Sequence, residues 1–282
     1  MTTRRTFLGA VAAGAAAATG LRGRALAAGP SKPPLALQLY SLRAQLETDV
    51  PGTLARVRGW GFDEVETYGA FGAEIAPQLK AAGLGVCAMH IGWDRLRQDM
   101  PGVLRDADAV GAGTIINPNL PHAAPYATRE EILAAAALFR GWSKACRAAG
   151  KRFAYHTHGQ EFAPAPEGTL FDVLMKESGA DVGIELDVYW AAFGGGDPVA
   201  VMKAHPGRVW FTHLKDMAKG TAPLSPDAHR DEAKVVLGRG QLDIKGIVAA
   251  GPAAGVERHV IEDESADPAG QIPTSVAYYR AL

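Results

Sequence analysis

The side chains best suited to chemistry fall in short clusters. Tyr155-His-Thr-His158 sets two imidazoles two residues apart, and Glu185-Leu-Asp187 does the same with two carboxylates. Alternate residues of a strand share a face, so each pair would project the same way. His213-Leu-Lys-Asp216 then joins an imidazole, an amine and a carboxylate, and Ile261-Glu-Asp263 adds two acids. Imidazole nitrogens and carboxylate oxygens from successive strands make a ligand set for a divalent cation, with positions left open for a substrate. Within each pair one member can bind the ion while the other orients it or the substrate. The spacing leaves open which member of either pair does which; the assignment adopted puts His156, Asp187, His213 and Glu262 on the metal and His158 with the chemistry.

Lys215 can protonate or stabilise an alkoxide; equally, it can be a solvent-exposed lysine paired with Asp216. Trp190, three residues past Asp187, can stack on a sugar face or cap the fold. Glu66, His90, Glu161 and Glu185 complete the polar set and are assigned to the substrate together with Trp190. Singly, each His or Glu is more often a hydrogen-bonded structural residue, and the argument rests on their convergence.

Convergence requires elements that aim these residues at one place. From Leu35 onward, short runs rich in β-branched and aromatic residues alternate with longer helical patterns. Eight strands are predicted: Leu35–Tyr40, Phe62–Thr67, Leu84–His90, Gly113–Asn117, Arg152–His158, Val182–Asp187, Arg208–His213 and Arg258–Glu262. Helices are predicted over Val50–Trp60, Gly72–Ala82 and Thr128–Ala149, the last opening on the capping box Thr128-Arg-Glu-Glu131. Ala-Ala-Gly precedes Leu84, Lys151 and Val256, and His-Pro-Gly precedes Arg208, each reading as a helix end that feeds a strand. Eight β-α units in about 250 residues favour a closed parallel barrel, a single (β/α)8 TIM barrel over residues 35–282. Neither Gly194-Gly-Gly196 nor Gly238-Arg-Gly240 has the spacing of a dinucleotide-binding fingerprint, and both read as turns. In such a barrel the carboxyl ends of the strands share one mouth, and Gln38, Glu66, His90, Asn117, His156, His158, Glu185, Asp187, His213 and Glu262 all fall there.

Composition narrows the partners. Lys plus Arg number 29 and Asp plus Glu 30. Arg4, Arg5, Arg22 and Arg24 lie in an acid-free stretch at the start, so the rest of the chain carries 25 − 30 = −5. No basic footprint for nucleic acid is left. Cys87 and Cys146 lack metal-type spacing and read as small buried hydrophobes.

Residues 1–27 read as a signal peptide. Thr3-Arg-Arg-Thr-Phe-Leu8 precedes a short Ala/Gly-rich apolar run, two further arginines and Ala25-Leu-Ala27, a small-x-small cleavage site. This resembles a twin-arginine signal and implies export of the folded protein by the Tat machinery to the periplasm or beyond. No membrane association is expected after cleavage, and residues 28–34 are a linker.

Across residues 35–282 the chain resembles the sugar phosphate isomerase/epimerase superfamily of xylose isomerase-like barrels. The likeness rests on Gln38-Leu-Tyr-Ser-Leu-Arg43, Glu66, His90, Tyr155-His-Thr-His158 with Glu161 and Phe162, Glu185-Leu-Asp-Val-Tyr-Trp190, His213-Leu-Lys-Asp216, Gly238-Arg-Gly240 and Ile261-Glu-Asp263. The resemblance implies manganese, with zinc, magnesium or cobalt as alternatives, held by Asp187, His213, Glu262 and a fifth-strand residue. The ketose epimerase branch has a glutamate at that fifth-strand position, whereas this chain has His156 and His158. Two-base epimerisation through an enediolate is therefore less secured than elimination or a related step. The expected function is a metal-dependent sugar isomerase, epimerase or carbon-oxygen lyase acting on a small-molecule sugar or glycoside, 3-keto sugars and 3-keto glycosides included. Glu262, His158 and Lys215 are its expected catalytic residues. The alternatives are a non-catalytic periplasmic carbohydrate-binding protein on the same barrel and, less compatible with the acidic chain, a DNA-repair endonuclease. Oligomerisation is compatible with all of these readings.

Overall fold

In a computed structural model of the chain, the described residues are 32–282, except 70, 123–125 and 225–228. The proposed signal segment and most of the linker fall outside them. The eight barrel strands are β1 Leu35–Gln38, β2 Glu64–Tyr68, β3 Gly85–His90, β4 Thr114–Asn117, β5 Arg152–His156, β6 Val182–Asp187, β7 Val209–Leu214 and β8 Arg258–Ile261. All pair in parallel, and β8 closes on β1 through Leu35–His259, Ala36–Val260 and Leu37–Ile261. The (β/α)8 TIM barrel expected from the alternating pattern is the fold found. Two small hairpins, Pro164–Ala165 with Gly168–Thr169 and Asp216–Met217 with Lys234–Val235, lie outside the barrel.

The strand boundaries differ from expectation at the ends that matter most. β1 stops at Gln38, and Leu39–Leu42 turns into a 3-10 helix whose first free amide, that of Tyr40, donates to the Gln38 side chain at 3.0 Å. β5 stops at His156, so His158 lies on the following loop and not on the strand face. The helix expected over Gly72–Ala82 is two helices, Phe71–Glu74 and Ala76–Ala81. Pro77 explains the break, because proline lacks the amide a helix interior needs but fits a first turn. The long helix Arg129–Ala148 starts as expected, with both bonds of the Thr128–Glu131 capping box in place.

The four glycine junctions share one backbone cause. Gly83, Gly150, Gly207 and Gly255 all have positive φ, between 69° and 91°, where a side chain would be strained. They turn the chain from helix back into strand.

Two apolar layers result from the period of two. Leu37, Ile115, Phe153, Tyr155, Ile184, Leu186 and Ile261 face outward into the core shared with the helices. Ala36, Ala88, Ile116, Ala154, Phe211 and Val260 fill the barrel interior. Two residues further along the same faces come Gln38, His90, His156, His213 and Glu262. The interior layer is thus the floor on which the polar layer stands.

Candidate metal centre

Ligand-type atoms of His156, Asp187, His213 and Glu262 lie within 4.8 Å of one another, and all four residues are buried. A second set, His90, His156, Glu185 and His213, meets the same criterion. Hydrogen bonding separates the two. Glu185 Oε2 lies 2.6 Å from His90 Nε2, 2.9 Å from His156 Nδ1 and 3.2 Å from His213 Nε2, so it occupies one nitrogen of each ring. Glu66 Oε1 lies 2.7 Å from His90 Nε2 and 3.0 Å from His213 Nε2, and accepts a hydrogen bond from Gln38 Nε2. The other ring nitrogens, His156 Nε2 and His213 Nδ1, face Asp187 Oδ2 at 3.9 and 4.0 Å, and His213 Nδ1 also lies 2.9 Å from Glu262 Oε2, the fourth member of the first set. That leaves the set with Asp187 and Glu262 as the one whose nitrogens are presented to an ion, while Glu66 and Glu185 hold the far side of each ring, as the carboxylates behind metal-binding histidines do.

Local structure aims Asp187. Its amide donates to Thr157 Oγ1 at 3.0 Å, and its Oδ1 caps the helix Val188–Phe193 by accepting from the amides of Tyr189 and Trp190. The second oxygen, Oδ2, is left for the cluster.

A divalent cation fits this donor set. Glu66 Oε2 and Glu185 Oε1, in the carboxylates behind the histidines, are buried oxygens without a hydrogen bond, and Asp187 Oδ2 has the Lys215 ammonium at 3.0 Å as its compensating group, a concentration of buried carboxylate that a cation would offset. Mixed imidazole and carboxylate ligands suit zinc and manganese alike.

Lys215 is not the solvent-exposed partner of Asp216 that one sequence reading expected. It is 5% exposed, and its Nζ lies 3.0 Å from Asp187 Oδ2, 2.6 Å from Glu262 Oε2 and 2.6 Å from Glu264 Oε2. Asp216 is not its partner: that carboxylate accepts from the amides of Met217, Gly238, Gly240 and Leu242. Burial alone would depress the lysine, but Asp187, Glu262 and Glu264 together hold its pKa well above the ordinary value. Glu264 has no counterpart among the expected residues. Its signal was its place two residues past Glu262, where the chain leaves the strand at the mouth.

The mouth opens into a cleft of about 1480 Å³ whose walls include His158, Trp190 and Glu264. Burial, and after it the Lys215 ammonium, pushes His158 down to about 3, so its imidazole is neutral with one ring nitrogen free of a proton, and is a weaker base than an ordinary histidine. The ring of His158 sits 4.6 Å from that of His156. Trp190 is beside them, 6.2 Å from His158 and 5.7 Å from Lys215 Nζ.

Four residues assigned to the substrate sit elsewhere. Glu66, Glu161 and Glu185 are fully buried, His90 nearly so, and among the described residues none of the four lines the cleft. Glu161 accepts from the His158 amide at 3.0 Å and so holds the loop that carries this imidazole; burial pushes its carboxyl up to about 7. His90 is held between Glu66 and Glu185, which outweigh its burial and raise it to about 9. Sequence reasoning missed these supporting placements because a strand-end residue looks the same whether it faces the mouth or a neighbouring ring.

Solved structures of the same architecture exist. A sugar phosphate isomerase/epimerase from Parabacteroides distasonis superposes with a TM-score of 0.72 at 21% identity, covering 92% of this chain and 97% of its own. The probable 3-DHS dehydratase AsbF from Bacillus anthracis, involved in petrobactin synthesis, gives 0.71 at 13% identity, covering 88% and 98%. The IOLI protein, solved with a bound zinc atom, gives 0.68 at 14%, covering 88% and 96%. At these identities the likeness shows the fold, a single (β/α)8 barrel, and nothing finer. No protein-family model and no curated protein sequence matches the chain.

Proposed function

We propose that the chain is a divalent-metal-dependent carbohydrate isomerase, epimerase or carbon-oxygen lyase that removes the proton next to a sugar carbonyl. The observation that carries this reading is the buried quartet His156, Asp187, His213 and Glu262, set at the carboxyl ends of four successive strands beneath a cleft that a neutral His158 faces. A bound cation, manganese in the first instance, supplies Lewis acidity that makes the α proton removable near neutral pH.

The remaining roles belong to the chain itself. His158 accepts the α proton, and the Lys215 ammonium offers fixed positive charge to the developing oxyanion. Glu66 and Glu185 fix the orientation of the ligand histidines, and Glu161 fixes the His158 loop. Trp190 offers a face to the sugar. If the proton returns to the opposite face of the carbon, the result is epimerisation. If the electron pair instead expels a neighbouring oxygen, a carbon-carbon double bond forms and the leaving oxygen takes the proton, which is elimination. The histidines at the end of the fifth strand, where a two-base epimerase would place a second carboxylate, favour elimination, with 3-keto sugars and 3-keto glycosides as substrates. The arginine pair and cleavage site of residues 1–27 support export through the Tat pathway and, with it, a reaction in the periplasm or outside the cell.

One observation favours the competing reading of a non-catalytic carbohydrate-binding protein: Lys215 already neutralises Asp187 and Glu262 without any ion. Metal analysis of protein purified from its native compartment, combined with incubation in deuterated water with free sugars, 3-keto sugars and 3-keto glycosides, separates the two. Near-stoichiometric metal and deuterium at the α carbon are expected, with His158→Gln slowing incorporation by about 100-fold or more. Substoichiometric metal, unchanged by added manganese, with no incorporation from any sugar, would sink the enzyme reading.

A further inference from the structure

The cleft is larger than a single sugar ring needs. Pockets for drug-sized ligands occupy ~300–1,000 Å³, and a lone hexose is smaller than that class, whereas this cleft is about 1480 Å³. Among the described residues its aromatic lining is Trp93, Tyr126, Trp190 and Phe193, and the two tryptophans follow different strands. Trp190 follows β6 and stands at the reacting end, near His158 and Lys215. Trp93 follows β3, three strands away around the barrel, and lines the same cleft. Its ring is braced edge-on by Trp142 at 5.0 Å and Phe139 at 6.0 Å, and it remains partly exposed. An aromatic ring held rigid by its neighbours and open on the cleft side binds a flat apolar face at little entropic cost. The reacting centre has no use for a second such platform three strands away.

The charges along the cleft argue against a phosphorylated sugar. Among the described residues, the cleft-lining arginines are Arg95 and Arg97. Arg95 is paired with Asp106, and Arg97 stands alone on the exposed rim. Lys215, the buried cation nearby, already faces three carboxylates. Among the described residues the lining thus offers one arginine outside an ion pair, Arg97, where a phosphate dianion takes a converging set of cationic donors.

We infer that the cleft takes an uncharged substrate of two rings, a glycoside whose reacting sugar lies at Trp190 and whose second ring, a sugar or an arene, stacks on Trp93. This rests on the carbohydrate reading above and narrows it from sugars in general to glycosides. A stacked second ring at an exposed-to-half-buried platform contributes ~1–2 kcal/mol, which is about 10-fold in affinity.

Calorimetric titration of the full chain with glucose, cellobiose, phenyl β-glucoside and glucose 6-phosphate tests it. Cellobiose or phenyl glucoside, or both, are expected to bind about 10-fold tighter than glucose, and the one that does identifies the second ring. Trp93→Ala should remove that advantage and leave glucose binding unchanged. Should Trp93→Ala fail to fold, as circular dichroism will report, Trp93→Leu keeps bulk in the packing while losing the aromatic face and carries the same expectation. Equal binding of one-ring and two-ring ligands, tightest binding of glucose 6-phosphate, or a preference that survives loss of the Trp93 ring would each overturn the inference. Failure of the proton-abstraction reading shows up separately, as missing deuterium incorporation, whatever these affinities are.

Discussion

The ring nitrogens at the centre of the barrel share a few carboxylate neighbours, and those neighbours decide what each histidine can do. Glu185 is the residue with most leverage, since its Oε2 reaches His90, His156 and His213 within 2.6–3.2 Å. Replacing the carboxylate by an amide keeps the volume but puts a donor where the imidazole N–H must also donate. Glu185→Gln is therefore expected to weaken manganese or zinc binding by about 10- to 100-fold with little change in the folded structure. Competition titration with a metal indicator measures this directly, and an unchanged affinity would show that Glu185 does not orient the ligands. Glu185-Leu-Asp187 was legible as a functional pair from its spacing, but the division of labour within it was not. That division depends on Glu185 meeting three rings from β3, β5 and β7, and no local pattern encodes a meeting of three strands.

At the scale of elements, what positions the mouth is the way its loops are tied down. Asp216, directly after Lys215, accepts four backbone amides and so fastens the Gly238–Leu242 turn to the end of β7. A Cβ on Gly240 would fall 2.1 Å from Asp216 Oδ1, so the turn needs glycine there to come this close. Asp216→Ala leaves several buried amides without acceptors and is expected to cost about 2–4 kcal/mol, read as a lower urea midpoint or a lower Tm. A loss under about 0.5 kcal/mol would show that water replaces the carboxylate. The sequence made Asp216 look like a surface partner for Lys215, because adjacency in sequence is easy to read and a clamp on residues twenty positions later is not. The element types themselves were legible, since helix caps, glycine exits and the period of two are all short-range signals. Strand ends were not, and the two-residue question of whether β5 runs on to His158 decided which histidine joins the metal cluster.

Across the whole molecule the barrel is closed at one end and open at the other. Arg152 pairs with Glu257 at 2.5 and 2.8 Å and lies over the Trp210 ring at 4.4 Å, while Arg258 pairs with Glu64. Gly183 makes room for Trp210, whose ring would lie 2.1 Å from any Cβ there. The seam where the last strand meets the rest of the fold carries a liability. His259 on β8 is buried against Thr212 Oγ1 at 2.6 Å and the Tyr279 ring at 5.7 Å. Burial, with a smaller effect from Lys32, pushes it down to about 3 from an ordinary value of 6.5. The unfolded chain then binds this proton below about pH 6.5 while the folded one stays neutral, so stability falls as pH drops from about 6.5 toward 3. Chemical denaturation across that window should show a shallower loss for His259→Gln than for the natural chain. Parallel pH profiles for the two would mean that His259 is not the group responsible.

The sequence by itself determined the barrel, the order of its strands and the roster of polar residues at their ends. These follow from signals that act over a few residues: the period of two, caps, glycine turns and the alternation of apolar and helical segments. Only the tertiary structure decided which of those residues form one cluster, that Lys215 is caged by three carboxylates, and that Glu66, Glu161 and Glu185 support the site from below while His158, Trp190 and Trp93 face the cleft. The reason is physical. A side chain's direction along a strand is set locally, but its burial, its protonation and its partners are set by what the other seven strands bring to the same point.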